Sequence, residues 1–376
     1  MSSNGNPASP KRERLFALDL LRGLDMFLLV MVGLPMRTVQ NTWNCLSPDV
    51  WRHFSHGWDG FGFWDVIMPL FIFMCGAATP FALEKRMENG RPTRGFWRHV
   101  LGRVALLWVL GMVAQGNLLT LDPMKISPYN NTLQTIAAGY LVTALAMCVR
   151  SVLFRRLLPI GLAVAYTLLL ALGGDYSQAG NFANKVEMRM LALLVPQGSL
   201  AFQTSHYTWF LTTFMFGAMS LCGYNSTKIL LSGRAPWRKV ATLGFLAAAL
   251  LATGYGTMPW IPVIKPIFSL SFTALAMGWC AVAYAALYAL TDIWCLRRGF
   301  GVFMLLGRNS LFAYMIGCFG GVFGEASREL LGGLELWIGK APMSIVLATG
   351  NSLLRLGSVW VWDRLKKARR GTGPAR

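Results

Sequence analysis

Ten stretches of this chain, at 15–34, 61–83, 100–121, 133–149, 157–172, 207–223, 240–258, 267–293, 300–323 and 342–362, are apolar almost throughout. A hydrocarbon core about 30 Å thick is crossed by roughly 20 apolar residues in a helix. An open sheet cannot make the crossing, because its edge N–H and C=O groups would be stranded in lipid. The pattern therefore predicts an all-α polytopic membrane protein with about ten transmembrane helices. The runs at 157–172 and 342–362 satisfy it least well, one being short and the other carrying Asn351 and Arg355.

Charge fixes the expected orientation. Only 14% of the 376 residues are charged and the formal net charge is +19, whereas soluble domains carry about 25% charged residues. An excess of this size is compatible with nucleic acid, but the basic residues sit in short clusters between the apolar runs, as they do in cytoplasmic loops. No nucleic-acid partner is expected. With the N-terminus inside, the inner segments hold 23 of the 35 Lys+Arg and the outer segments 8. Both termini are accordingly expected in the cytoplasm. Residues 1–14, with Lys11, Arg12 and Arg14, read as a cytoplasmic tail ahead of a retained first helix; 15–362 form one transmembrane domain, and 363–376 a basic cytoplasmic tail. The outer face then carries 35–60, 122–131, 173–206, 259–266 and 324–341, within which 187–194 and 329–338 have the pattern of short surface helices. The 7 Cys show no metal-type spacing and read as packing residues.

Several polar residues stand where burial is costly. Asp19, Arg22 and Asp25 recur every three residues in the first run and so share one side of a helix. They form either an ion pair that locks helix packing or one wall of a polar cavity, since ionisable groups at membrane depth commonly face a site. Asp65 precedes Pro69 by one turn, which predicts a kink and a freed carbonyl beside the carboxylate. Two of the four His, His53 and His56, fall within four residues at the expected outer boundary. With Asp65 nine residues beyond His56, they are candidates for acid–base chemistry. They lack a second ligand pair, so no metal site is expected. Lys265, between Pro262 and Pro266, is suited either to hold an anionic or oxyanion group or to snorkel to the interface.

Leu18-Asp19-Leu20-Leu21-Arg22-Gly23-Leu24-Asp25-Met26 resembles the opening motif of the heparan-α-glucosaminide N-acetyltransferase family and its bacterial relatives. His56-Gly57-Trp58-Asp59-Gly60, followed by Asp65-Val66-Ile67-Met68-Pro69-Leu70-Phe71-Ile72-Phe73, is similar to that family's signature of His, Trp and Gly with Asp-x-x-x-Pro-x-Phe-x-Phe. Asn131 to Ala137, Lys265 to Phe272 and Gly307 to Tyr314 resemble three further family segments in family order.

The resemblance implies a transmembrane acyltransferase bundle that takes acetyl-CoA as co-substrate from the cytoplasm and acetylates an amino sugar or related glycan on the far side. The position matching the essential His is His56, with His53 as the alternative register. On this reading Asp65 orients the base, and Lys265 meets an anionic or oxyanion group. Asp19, Arg22, Gln134 and Asn309 line the CoA passage, and Arg103 and Arg308 meet the CoA phosphates. Acceptor identity, amide or ester product, and acyl-enzyme or direct transfer stay open, as does the oligomeric state, a homo-oligomer included. The expected location is a bacterial inner membrane. The in-span charges also suit a transporter or flippase of a sugar or lipid-linked glycan.

Overall fold

The computed structural model describes residues 15–55, 57–203 and 207–371. The candidate base His56 therefore lies outside the described residues, as does His206. Helices α1 (Phe16–Phe27), α2 (Gly33–Trp43) and α3 (Pro48–Arg52) lead to α4 (Ile67–Leu83), α5 (Arg94–Ala114), α6 (Thr132–Cys148) and α7 (Val152–Gly173). After them come α8 (Phe182–Leu194), α9 (Leu200–Gln203), α10 (Thr213–Leu230), α11 (Pro236–Thr257) and α12 (Leu270–Tyr288). The chain ends with α13 (Gly301–Arg308), α14 (Ser310–Cys318), α15 (Gly320–Leu331), α16 (Glu335–Ile338) and α17 (Lys340–Gly371). Strand structure among the described residues amounts to one hairpin, β1 (Met87–Glu88) with β2 (Arg91–Pro92). The class is all-α.

Five helical segments are long and apolar enough to cross a membrane: Phe63–Arg86, Arg94–Ala114, Val152–Gly173, Pro236–Thr257 and Leu270–Ile293. Counting α13 with α14 as one bent crossing makes six. Several helices of this kind mark the chain as an integral membrane protein. Two of the segments run through the middle of the bundle, with 67% of the apolar window buried in both Phe63–Arg86 and Leu270–Ile293. On Val152–Gly173 and Pro236–Thr257 the buried share is 11% and 17%. Their outward side chains, among them Leu153, Ile160, Leu168 and Phe245, are exposed and apolar, a surface that lipid covers and water does not.

Close backbone approach holds the centre together. A Cβ at Gly76 of α4 would strike the Ser220 backbone of α10, and one at Gly223 of α10 would strike the Phe73 backbone of α4. Gly23 of α1 and Gly307 of α13 make the same kind of exchange with the backbones of Phe303 and Asp19. Small residues allow this because helices in lipid associate through packing and interhelical hydrogen bonds, without water to drive them together. Such bonds are present, from Thr143 Oγ1 to Ser220 Oγ (2.7 Å) and between Thr227 Oγ1 and Tyr284 Oη (3.0 Å). Phe73, Phe216, Phe268 and Phe272 fill the remaining interior.

Two local expectations are corrected. The first run does not end in a loop at Pro35: α1 passes through one π turn, Leu28–Val32, into α2, whose third residue is Pro35. Pro35 thus lies inside a continuous helix, and the π turn just before it marks where the hydrogen-bond ladder is disturbed. Pro69 is the third residue of α4 and follows a 3₁₀ turn at Phe63–Val66, so the helix changes its geometry in the turn that precedes the proline. The run 300–323 is not one straight helix, since α13 and α14 meet at 82°. Asn309 occupies a non-helical conformation at the break (φ −117°, ψ 26°). Its Nδ2 donates to the Leu305 carbonyl and to Asp363 Oδ1, both at 3.0 Å, so the side chain competes with the backbone for helical partners.

Candidate active site

Two loops nearly two hundred residues apart are sewn together at one end of the bundle. In the first, Ser47 caps α3, and the chain turns at His53, whose carbonyl accepts the Trp64 N–H at 2.9 Å. The strand-like stretch after residue 56 pairs with the loop ahead of α12. Gly60 N–H donates to the Val263 carbonyl at 2.8 Å, and Asp59 bridges Ile264 in antiparallel fashion. Trp58 Nε1 reaches sideways to the Tyr176 carbonyl at 3.3 Å. Residues 57–60 are thus fixed on both sides, and so is the exit from the segment that carries His56.

The second loop is rigid for its own reasons. Ser269 Oγ accepts from Ile264 N–H (3.0 Å) and donates to the Pro262 carbonyl (2.7 Å), and Ser271 Oγ donates to that same carbonyl (2.9 Å). Thr208 N–H holds the Pro266 carbonyl at 3.1 Å, and Tyr166 Oη donates to the Ile267 carbonyl. Phe268 is held in the left-handed region at φ 45°, a conformation that a non-glycine residue adopts only where its surroundings enforce it.

Between the loops lies a buried ion pair. Lys265 Nζ donates to Asp65 Oδ1 at 3.0 Å, with each residue only 6% exposed. Asp65 Oδ2 takes the Gly62 N–H at 2.9 Å, which ties the carboxylate to the turn it starts. Burial pulls the Lys265 ammonium below the ordinary lysine range, and the adjacent Asp65 charge opposes that shift without cancelling it. Tyr207 lies close enough to feel the Asp65 charge. Of the expected residues, then, Asp65 and Lys265 are brought together. His53 is exposed at the end of α3.

A second polar group forms deeper in the bundle. Arg22 Nη1 pairs with Asp19 Oδ1 at 3.2 Å on α1. Arg103 lies 4.7 Å over the Tyr140 ring and donates to Cys75 Sγ at 3.8 Å. Arg308 is exposed at the last position of α13, and Asn309 is buried against Asp363. Gln134 is fully buried. Its Nε2 donates to the Pro128 carbonyl (2.7 Å) and its Oε1 accepts from Asn130 N–H (2.8 Å), so both ends of the amide brace the 128–130 turn.

Sequence reasoning passed over Asn131 and Glu187. Asn131 caps α6 and its Oδ1 also accepts from Tyr314 Oη at 3.1 Å, linking two of the family-like segments. Glu187 of α8 is buried and its Oε2 accepts the backbone N–H groups of Trp209 (2.8 Å) and Phe210 (3.1 Å). Burial lifts its carboxyl to about 7, against the pull of those two donors. Its partners are backbone groups, which leave no trace in residue types. The sequence matches no protein-family model and no curated protein.

Proposed function

We propose that this chain is a membrane acyltransferase that moves an acetyl group from cytoplasmic acetyl-CoA to an amino sugar or related glycan at the outer face of the membrane. The observation that carries the reading is the Asp65–Lys265 pair, which clamps the segment leading away from His56 onto the rigid 262–269 loop. The segments that resemble the heparan-α-glucosaminide N-acetyltransferase family also touch in this fold. The first packs on the last through Gly23 and Gly307, Asn131 binds Tyr314, and the His56 segment meets the Lys265 segment.

In this mechanism His56 takes the proton from the acceptor nitrogen or oxygen as it attacks the thioester carbonyl. The C–S bond then breaks, and the CoA thiolate leaves with the proton that His56 returns to it. Asp65 and Lys265 position the His56 segment and set the charge near the developing oxyanion. Asp19, Arg22 and Arg103 line the approach from the cytoplasm, and Arg308 at the end of α13 meets a CoA phosphate. Ten crossings are reached if α1 with α2, α6, α10 and α17 cross in addition to the five apolar segments and the bent pair, and the positive-inside bias then sets both termini in the cytoplasm.

One observation favours a transporter instead, namely the break at Asn309, because discontinuous helices frame many transport sites. Incubating purified protein with labelled acetyl-CoA and a panel of amino sugars separates the two. Transfer that His56→Ala abolishes, with membrane insertion intact, supports the enzyme. Uptake of sugar into vesicles without CoA release, or full transfer by His56→Ala, overturns this assignment.

A further inference from the structure

Within one turn of α17, Asn351, Ser352 and Arg355 are all buried, at 6%, 1% and 7% exposure. Asn351 Oδ1, Ser352 Oγ and Arg355 Nε have neither solvent contact nor a hydrogen-bond partner, which makes them three of the eight such atoms among the described residues. Asn351 Nδ2 is used, donating to the Gly320 carbonyl at 3.2 Å. Among the described residues no carboxylate pairs with Arg355. A buried guanidinium without a counter-charge costs several kcal/mol, so such a group commonly faces a ligand.

Arg355 faces a cavity of about 230 Å³. Arg37 of α2 lines the same cavity from the exposed rim, and Trp51, Phe54 and Trp64 supply aromatic walls. The sequence neighbours of these walls, Val50 and Phe63, are exposed and apolar at 45% and 50%, and Trp43 ends α2 at 49%. Two cations on an otherwise apolar hollow are the chemistry that receives an oxyanion attached to a greasy body. A guanidinium offers a planar fork of donors that matches phosphate oxygens two at a time.

We propose that this cavity binds a phosphate-type oxyanion, held by Arg355 from within and by Arg37 at the rim. Such a group reaches the cavity either as the headgroup of an anionic membrane lipid or as a soluble phosphate ester. The inference does not depend on acyl transfer.

The test uses the purified full-length chain in detergent micelles, titrated with short-chain phosphatidylglycerol, with phosphatidylcholine of equal chain length, and with inorganic phosphate. Native mass spectrometry and the thermal unfolding midpoint are read together. A one-to-one adduct and a raised midpoint with phosphatidylglycerol alone support the lipid source; inorganic phosphate that stabilises and competes supports the soluble ester. Arg37→Gln, on the rim, should weaken binding about tenfold, the loss expected for one charge-assisted contact, with the ligand-free midpoint unchanged. Arg355→Gln should remove binding altogether, and Arg37→Gln decides the matter if that variant does not fold. Equal binding of the two lipids with phosphate silent, no stabilisation by any of the three, or wild-type affinity in Arg37→Gln would overturn the proposal.

Discussion

Removing one partner of the Asp65–Lys265 pair should produce a stability loss whose pH dependence identifies which charge remains. At 3.0 Å and an effective dielectric constant near 20, the attraction is about 5 kcal/mol, and deleting one member of a buried pair typically costs about 3–5 kcal/mol. In Asp65→Asn the ammonium loses this carboxylate, and the loss is capped by releasing the proton. Taking Lys265 from its ordinary value of 10.5 to neutrality at pH 7.5 costs about 4 kcal/mol, and about 1.4 kcal/mol less for each unit by which pH rises. The folded-state lysine is the group with the lowered pKa, so the unfolded chain holds more protons and the deficit of this variant shrinks as pH rises from 7 to 9. In Lys265→Met the carboxylate is the group left behind. No ammonium remains to titrate, so the recovery between pH 7 and 9 is absent from this variant. The double variant Asp65→Asn with Lys265→Met should recover most of the loss, since a neutral pair buries no charge. Unfolding in mixed micelles with increasing dodecyl sulfate, followed by emission from the 14 Trp, measures all four proteins. Parallel pH profiles for the two single variants, or losses below about 1 kcal/mol in both, would refute the reasoning.

Two further outcomes follow from the same structure. Glu187 has its carboxyl raised from 4.5 to about 7, so its contribution is complete below pH 4.5 and is lost as pH rises through 7, a change of about 3 kcal/mol. Glu187→Gln keeps an acceptor for Trp209 and Phe210, and its unfolding midpoint relative to the wild type should climb between pH 4.5 and 7 and then level off; a constant difference across that range would contradict the assignment. Gly223→Val would force α10 away from the Phe73 backbone, and overpacking of this kind costs about 1–3 kcal/mol or more. The same change at Gly244, where an added Cβ meets nothing within 4 Å, should leave the midpoint within about 2 °C.

The all-α class was legible because a bilayer imposes a run length that side chains must satisfy, and α4, α5, α7, α11 and α12 fall on the expected runs. The break at Asn309 was not legible, because it depends on Asp363, which lies 54 residues further along the chain and on another helix. The site was readable in its parts but not in its pairing. Asp65 and Lys265 stood out as charges beside prolines at the ends of apolar runs, yet only the folded chain joins them. That Gln134 braces the turn at 128–130 with both ends of its amide was likewise not legible, because its partners there are backbone groups. Arg355 was visible as an awkward charge in a weak run, and its significance came from the cavity into which it is set.

The pairing of Asp65 with a lysine two hundred positions later also bears on how the protein is made. When α4 leaves the ribosome, Lys265 has not been synthesised, so the early helices enter the membrane with that carboxylate lacking its lysine. The clamp on the 57–66 segment closes only after α11 has inserted and the 259–269 loop has been delivered. Completion of the site is therefore a late event in biogenesis. A chain arrested before residue 265 would display the Asp65 carboxylate without its lysine at the membrane border, a mark by which quality-control machinery can tell unfinished copies from finished ones.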